Sequence, residues 1–270
     1  LFPLTARESL REPEPRIMRD VFPCCQAAFD FSLLPRSPHQ IFCRPLGDKV
    51  SGHPCLEPTI MPNTHVHDTL PDCAHPADPE LLNRLFTHGR TYSRWLPKAV
   101  DDAMLMRAWN LARLGPTSAN SQPLRVLFVR SAEAKARLKP CLAPGNVEKT
   151  MKAPVTALFA ADMRFYDHLP RLYPHADARS WFSGSDQIAL SNATAERNSS
   201  LQAAYFIMAA RALGLDCGPM SGFDAEQLNQ TFFPDGRFKI NFICNLGHGD
   251  PQSLHPRSPR LEFEEACQII

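Results

Sequence analysis

Residues 193–223 read ATAERNSSLQAAYFIMAARALGLDCGPMSGF, and they are the most informative part of this 270-residue chain. The segment from Ala193 to Leu213 is predicted to form the longest helix, because apolar residues occupy most of its sides from Leu201 onward. A helix of this kind is typical of the centre of a domain or of a subunit interface. A turn rich in glycine and short polar side chains follows directly, over residues 213–223.

Shorter segments on both sides of this helix predict an α+β fold. Helices are expected from Asp78, from Asp101, from Ser131 to Leu138 and within the tail Leu261–Ile270. Their apolar residues are expected to pack inward, among them Leu81, Leu82 and Phe86 in the first helix and Leu111 in the second. Strands are expected at Leu124–Val129, Val155–Ala161 and Phe238–Leu246. These elements do not follow a regular βαβ repeat, so the sheet is expected to be largely antiparallel.

Residues 1–76 have a different texture from the rest of the chain. Half of the 26 prolines and five of the nine cysteines precede Glu80. We therefore expect this leader to be disordered or non-native, with translation starting near Met61, and residues 77–270 to form the catalytic domain. Four acidic residues between positions 12 and 30 argue against the rival interpretation, a targeting peptide.

Composition excludes several classes of function. The 29 basic and 28 acidic side chains nearly cancel, so nothing favours a nucleic acid or an anionic membrane surface. No apolar run approaches the roughly 20 residues that a membrane span needs, so a cytoplasmic protein is expected. Nine scattered cysteines without a Cys-x-x-Cys pair predict free thiols and no metal site. The pair His65 and His67 is a weak candidate for a metal site.

Five polar segments carry the chemistry of the chain. They are GRTYSRW at residues 89–95, GPTSANSQP at 115–123, GNVEK at 145–149, LGLDCGPMSGF at 213–223 and RSPR at 257–260. Guanidinium groups match phosphate oxygens, and hydroxyls add neutral donors. No glycine-rich Rossmann or Walker A motif is present, so a nucleotide would have to be held by these scattered cations.

In this order, the five segments resemble the nitroreductase family of flavoproteins. Residues 178–182, 197–205 and 263–267 resemble, more narrowly, the malonic semialdehyde reductases of the Rut pyrimidine-degradation pathway. The resemblance covers residues 78–270. It implies an α+β fold with a mainly antiparallel sheet flanked by helices, and an intertwined homodimer with an FMN site at each interface. It also implies NADH or NADPH as the electron donor and hydride transfer by a ping-pong mechanism.

The same resemblance assigns roles to individual residues. The FMN phosphate would be bound by Arg90, Tyr92, Arg94, Arg257 and Arg260, with Thr91 or Ser93 supplying a hydroxyl. The turn containing Pro116, Thr117, Ser118 and Asn120 would come from the partner subunit. Asn146 and Lys149 would face the pyrimidine edge of the flavin, and Lys149 would favour the reduced ring electrostatically. Pro219, Met220, Ser221 and Gly222 would run along the ring.

The resemblance leaves the substrate open. Malonic semialdehyde, reduced to 3-hydroxypropanoate, is the first candidate, with Arg179 either binding its carboxylate or forming a surface ion pair. A broad NAD(P)H nitroreductase or quinone reductase is the alternative, and a flavin-binding protein without turnover is a more distant one. The family more often has serine where this chain has Tyr92, and many members have an acid at the position of Ser221. Whether Arg257 or Arg260 reaches the phosphate also stays open.

Overall fold

A computed structural model describes residues 76–270, and it contains a four-stranded antiparallel sheet with helices packed against it. The strands are β1 (Leu124–Val129), β2 (Val155–Asp162), β3 (Asp216–Met220) and β4 (Phe238–Gly247). The helices are α1 (Pro79–Leu82), α2 (Asp102–Ala112), α3 (Ala132–Leu138), α4 (Pro144–Lys152), α5 (Leu169–Leu172), α6 (Ile188–Ala212), α7 (Ala225–Phe232) and α8 (Phe263–Ala266). The α+β prediction is confirmed.

The sheet has the order β1-β2-β4-β3, and every neighbouring pair in it is antiparallel. All residues of β2 are buried, which explains why this strand reads as a continuous apolar run and not as an alternating one. Phe159 on β2 packs edge-to-face on Phe206 of α6, with ring centroids 5.5 Å apart. The three predicted strands are confirmed within one residue at each end.

Helix α6 is the central helix, as predicted, and it begins at Ile188, five residues before the expected start. Two buried polar side chains on α6 connect it to the next part of the fold. The amide oxygen of Gln202 accepts the N–H of Leu124 at 2.9 Å, and that of Asn198 accepts the N–H of Ser118 at 2.8 Å. These contacts fix the start of β1 and the polar loop before it.

Helix starts follow their capping residues. Asp78, Asp101 and Ser131 each accept a backbone N–H in the first turn of α1, α2 and α3, as the sequence predicts. The elements β3, α4, α5 and α7 were not predicted. In β3 the reason is the presence of Gly218 and Pro219, which disfavour a strand in general but are tolerated in this edge strand.

Some apolar side chains expected to be internal are exposed in the single chain. The helix from Asp78 continues as a π-helical turn over Asn83–Thr87, and Leu81, Leu82 and Phe86 remain exposed. Leu111, which was expected on the inner side of α2, is also exposed, as is Phe263 in the tail. Amphipathic spacing predicts which residues share a face, but the partner of that face depends on tertiary and quaternary packing.

Two predictions concern residues outside the described range. The leader with its start near Met61 and the pair His65 and His67 both lie before residue 76. Within residues 76–270, no helix is long and apolar enough to cross a membrane. In the same range, no three His, Cys, Asp or Glu side chains lie close enough to hold a metal ion, and Cys141, Cys217, Cys244 and Cys267 are free thiols.

Candidate functional site

The segment 89–96 lies between the start of β3 and the chain that leaves β4. The N–H of Tyr92 donates to Cys217 O at 3.3 Å, and the N–H of Leu96 donates to His248 O at 2.8 Å. Gly249 permits this close approach, because a Cβ atom there would lie 2.1 Å from the Tyr92 ring. Backbone contacts with two different strands therefore hold the first predicted arginine segment in place.

A cavity of about 560 Å³ opens beside this segment. It is lined by Phe86, Gly89, Arg90, Thr91, Ser93, Arg211, Ser253, Leu254, His255, Pro256, Arg257, Ser258 and Arg260. Four of these residues are arginines, and none of the lining residues that the structure describes is acidic. The first and fifth polar segments, which are more than 150 residues apart, therefore meet in one cationic cavity.

Arginine side chains hold the cavity walls together through backbone carbonyls. The Nη2 atom of Arg257 donates to Thr87 O at 2.7 Å and to Gly89 O at 2.9 Å. The guanidinium of Arg90 reaches in the opposite direction and donates to His255 O. Each segment thus orients the arginine of the other. Donors of this kind can exchange a carbonyl for a stronger anionic acceptor.

Sequence reasoning missed six lining residues, of which three are polar: Arg211, Ser253 and His255. Arg211 did carry a signal, because it is the one charged residue in the apolar stretch Leu201–Leu213. A cation at the end of a mainly apolar helix needs an acceptor or solvent nearby. Ser253 and His255 carried no comparable signal, since polar loop residues are common.

Two residues assigned to the phosphate by resemblance lie outside the cavity lining. The ring of Tyr92 covers Gly249, and burial raises the pKa of the Tyr92 phenol, with Asp216 adding to the rise and Arg90 opposing it. Arg94 is exposed, and its carbonyl accepts the N–H of Asp250 at 3.1 Å. The neighbouring hydroxyls, Thr91 and Ser93, do line the cavity.

The third and fourth polar segments also meet. The side-chain amide of Asn146, on α4, donates to Gly222 O at 2.7 Å, and the N–H of Ala143 donates to the same oxygen at 3.1 Å. A Cβ atom on Gly222 would lie 2.5 Å from the Asn146 nitrogen, so a larger residue there would displace the Asn146 amide. The Trp95 indole donates to Lys149 O at 3.2 Å and joins α4 to segment 89–96.

The predicted residues before Gly222 differ in how exposed they are. Pro219 and Met220 are half-buried at the end of β3, whereas Ser221 is exposed just beyond it. The sulfur of Met220 lies 4.0 Å from the Thr150 hydroxyl on α4. Of this segment, Ser221 is therefore the residue most open to a ligand.

The loop at residues 116–122 is strained and does not line the arginine cavity. Ala119, Asn120 and Gln122 have positive φ angles of 49°, 48° and 40°. Such backbone conformations in non-glycine residues concentrate at functional sites. Asn120 donates to Leu172 O at 2.8 Å, and Tyr205 donates to Pro116 O at 3.1 Å. Side chains therefore fix this loop away from the arginine segments of its own chain.

A buried lysine lies behind α4. The Lys135 ammonium donates to Thr150 O at 2.7 Å and to the Thr156 hydroxyl at 2.6 Å. Burial lowers the pKa of Lys135 to about 8. The Thr156 hydroxyl in turn donates to the side-chain oxygen of Asn245 at 2.7 Å. This network supports the last turn of the helix that carries Lys149.

The candidate substrate arginine lies in an ion-pair cluster. Arg179 is exposed, and its guanidinium lies 3.5 Å from the Asp167 carboxylate. Arg164 and Arg237 contact the same carboxylate at 3.0 and 3.8 Å. This environment agrees with the surface ion pair that was weighed against carboxylate binding.

Comparison with known proteins identifies the family. Residues 90–248 match the model of the Nitroreductase family. The chain belongs to this family. A Ralstonia nicotianae protein, provisionally named an NADH dehydrogenase/NAD(P)H nitroreductase, is 55% identical over 193 residues, which are 72% of this chain and 98% of the relative. A Burkholderia lata protein with the same kind of name is 57% identical over 188 residues, 70% of this chain and 95% of the relative.

Solved structures show that this member of the family has the family's fold. A provisionally named nitroreductase from Bacillus subtilis, ydfN, superposes with a TM-score of 0.62 at 22% identity, over 70% of this chain and 98% of that one. One from Exiguobacterium sibiricum, solved in complex with FMN, has a TM-score of 0.59 at 20% identity, over 69% and 96%. The family match includes Arg90 but ends before Arg257 and Arg260.

Proposed function

We propose that this protein binds FMN and uses it to pass hydride from NADH or NADPH to a small-molecule substrate. The observation that carries the proposal is the cavity in which Arg90, Arg257 and Arg260 meet without an acidic neighbour among the described lining residues. The complex of the Exiguobacterium sibiricum protein with FMN supports the choice of cofactor. The NAD(P)H in the name of the Ralstonia nicotianae relative supports the choice of electron donor.

The lining of the cavity fits a phosphate monoester. Such a group carries nearly two negative charges at neutral pH, which the guanidinium groups would neutralise. Arg257 contacts the carbonyls of Thr87 and Gly89 beside Arg90, whereas the hydrogen bonds of Arg260 within residues 76–270 go to Ser258 O and Pro259 O. We therefore assign Arg90 and Arg257 to the phosphate and Arg260 to the rim.

Helix α4 and the end of β3 would bind the flavin ring. When bound, FMN supplies hydride transfer at its N5 atom. Lys149 provides a positive charge that favours the extra negative charge of the reduced pyrimidine edge. Asn146 is oriented by its hydrogen bond to Gly222 O, and its side-chain oxygen would face that edge. Ser221 is exposed, so its N–H would be available to the N5 region, with Pro219 and Met220 next to it in the chain.

The proposed enzyme is a homodimer in which both chains build each site. The loop with Pro116, Thr117, Ser118 and Asn120 does not line the arginine cavity of its own chain. Its strained backbone is typical of a functional site, and in the proposed dimer it would line the cavity of the partner subunit. Large apolar side chains also remain exposed in the single chain, among them Leu81, Phe86, Met106, Leu114, Ile188, Leu201 and Phe263. Apolar exposure on this scale is typical of subunit interfaces.

Malonic semialdehyde is the proposed substrate, on the resemblance of residues 178–182, 197–205 and 263–267 to the reductases of pyrimidine degradation. The reduction of its aldehyde to 3-hydroxypropanoate needs one hydride and one proton. A broad nitroreductase or quinone reductase activity is the second candidate, and the names of the relatives favour it. The proposal places the enzyme in the cytoplasm, where the four described cysteines stay reduced.

An absorption spectrum of the purified full-length protein tests the proposal first. We expect a yellow protein that bleaches on anaerobic titration with NADH or NADPH and has the mass of a dimer in light scattering. A flavin that binds but does not bleach would instead indicate a flavin-binding protein without turnover. A colourless monomer that ignores added FMN would contradict the proposal as a whole.

Steady-state kinetics then distinguishes the two substrate classes. We expect kcat/KM to be higher with malonic semialdehyde than with nitrofurazone or menadione. The reverse order would favour the broad reductase. Arg179→Gln should raise KM for the semialdehyde only if this arginine leaves Asp167 to bind the substrate carboxylate.

A further inference from the structure

Arg211 is the fourth arginine of the cavity, and its environment differs from that of the other three. It lies in the last turn of α6, and the Leu201–Leu213 stretch around it is otherwise uncharged. Arg257 and Arg260 come from an exposed loop, whereas Arg211 is half-buried at the end of a helix. Its position is therefore set by the central helix, which contacts α2 and all four strands of the sheet.

The guanidinium of Arg211 has partners for only part of its donors. Nη1 donates to Leu85 O at 3.0 Å. Nη2 donates to Arg90 O at 3.5 Å, which is the longest hydrogen bond described in this cavity. The Nε atom is buried and has no hydrogen-bond partner within residues 76–270. In the same range no carboxylate lies within 4.0 Å of Arg211. A buried donor without a partner is unfavourable, and so is a partly buried cation without a counter-charge.

Arg125 shows how the chain treats another half-buried arginine. Its guanidinium lies 2.7 Å from the fully buried Asp162 and also donates to the carbonyls of Gln122 and Leu124. Arg237 binds both oxygens of the same carboxylate at 3.0 Å. Those charges are neutralised inside the chain. No acid among the described residues neutralises the charge of Arg211, although this arginine lines a cavity whose size and cationic lining suit an anion.

We propose that Arg211 is a further cofactor-binding residue, whose charge is balanced when a phosphate monoester occupies the cavity. The inference rests on the proposed FMN function and adds a residue to it. Two effects combine in the proposal. The charge of Arg211 attracts the phosphate from the cavity wall, and its bonds to Leu85 O and Arg90 O hold the backbone from which the Arg90 side chain projects.

Comparing FMN with riboflavin tests the inference, because riboflavin has the ring and lacks the phosphate. Full-length wild type, Arg211→Met and Arg211→Lys are stripped of flavin, and dissociation constants are measured by flavin fluorescence. We expect Arg211→Met to bind FMN about 10- to 100-fold more weakly, as for the loss of a charged hydrogen-bonding group. Its riboflavin affinity should stay within about threefold, and Arg211→Lys should lose less FMN affinity than Arg211→Met.

Arg107→Met is the matched control, since Arg107 is an exposed arginine on α2 outside the cavity lining. It should bind both flavins as the wild type does. Melting temperature with inorganic phosphate gives a second readout: phosphate should stabilise the wild type and Arg211→Lys more than Arg211→Met. This readout also serves if the Met variant folds poorly, because the Lys variant keeps the charge.

Equal losses of FMN and riboflavin affinity would overturn the inference, since they would mean that Arg211 only supports the fold. Unchanged FMN affinity in Arg211→Met would overturn it as well, while leaving the FMN function intact. If the wild type itself binds neither flavin, the proposed function is wrong and the role of Arg211 falls with it.

Discussion

Two groups of arginines in this protein differ in how their charge is compensated. Arg125 and Arg237 surround the fully buried carboxylate of Asp162, so their charges are neutralised within the chain. Arg90 and Arg257, in contrast, donate to backbone carbonyls in a cavity without a described acidic lining residue. The first group stabilises the fold. The second has charge available for a ligand.

The difference shows how a structural ion cluster can be told from a binding site. Both groups join distant parts of the sequence, and both contain several guanidinium groups. The acid is what distinguishes them: a buried carboxylate that binds two arginines leaves little attraction for an external anion. A dense arginine cluster is therefore a candidate anion site only when no acidic side chain within the cluster neutralises its charge.

The largest expected effect is a loss of stability on removing the acid that Arg125 and Arg237 share. Asp162→Ala removes the carboxylate and leaves Arg125, Arg237 and the adjacent His168 without their acid. Breaking a buried pair in this way typically costs about 3–5 kcal/mol in the free energy of unfolding. Urea unfolding measures it, with Asp102→Ala as the control, because its pair with Arg130 is exposed and should contribute less than about 1 kcal/mol. Equal losses in both variants would remove the distinction.

The cavity arginines, Arg90 and Arg257, should show the opposite pattern, with an effect on ligand binding and little effect on stability. Arg90→Ala removes a charged donor whose internal partner is a neutral carbonyl, His255 O. We expect FMN affinity to fall about 10- to 100-fold, while the unfolding free energy of the flavin-free protein changes by less than about 1 kcal/mol. Flavin content after gel filtration measures the loss, with Arg130→Ala as a control that should keep its flavin. Full retention by Arg90→Ala would contradict the assignment.

A smaller effect is expected at the ring side of the site. Gly222→Ala places a Cβ atom 2.5 Å from the Asn146 nitrogen, so Asn146 or the loop must move. We expect about tenfold weaker flavin binding, equivalent to about 1.4 kcal/mol, and a shifted flavin absorption spectrum. Gly145→Ala is the control, because no atom lies within 4 Å of its added Cβ and it lies in helix α4. If both variants bind flavin alike, the contact between Asn146 and Gly222 does not order the site.

The smallest effect concerns Lys135, a buried cation whose described partners are neutral oxygens outside both groups. Its folded pKa of about 8 lies below the ordinary 10.5, so the folded state releases this proton first as pH rises. Stability should therefore increase as pH rises from 8 toward 10.5, by about 1 kcal/mol between pH 8 and 9. Urea unfolding of wild type and Lys135→Met checks this. Parallel pH profiles of the two proteins would show that Lys135 does not titrate in this window.

Local signals predicted most of the fold correctly. The caps at Asp101 and Ser131 and the apolar runs of β1 and β2 depend on neighbouring residues, so sequence patterns capture them. Strand β3 was missed because Gly218 and Pro219 disfavour a strand locally, and pairing with β4 overrides that preference. The exposure of Phe86 and Leu111 could not be predicted, since spacing defines a face and not the surface that covers it.

The candidate site was predicted in part. The sequence identified Arg90, Arg257, Asn146 and Gly222 through their motifs, and the structure brings them together in two pairs of segments. It did not identify Arg211, because nothing in a sequence measures the distance from one helix end to a distant loop.

The sequence alone determined most of the helical and extended segments, the positions of the positively charged side chains and the absence of a glycine-rich phosphate loop. Only the tertiary structure decided which of those charges are neutralised. Arg125 meets the Asp162 carboxylate across two paired strands, whereas the partners of Arg211 within residues 76–270 are carbonyl oxygens. The physical reason is that electrostatic compensation depends on distance in space and on burial, which chain order does not encode.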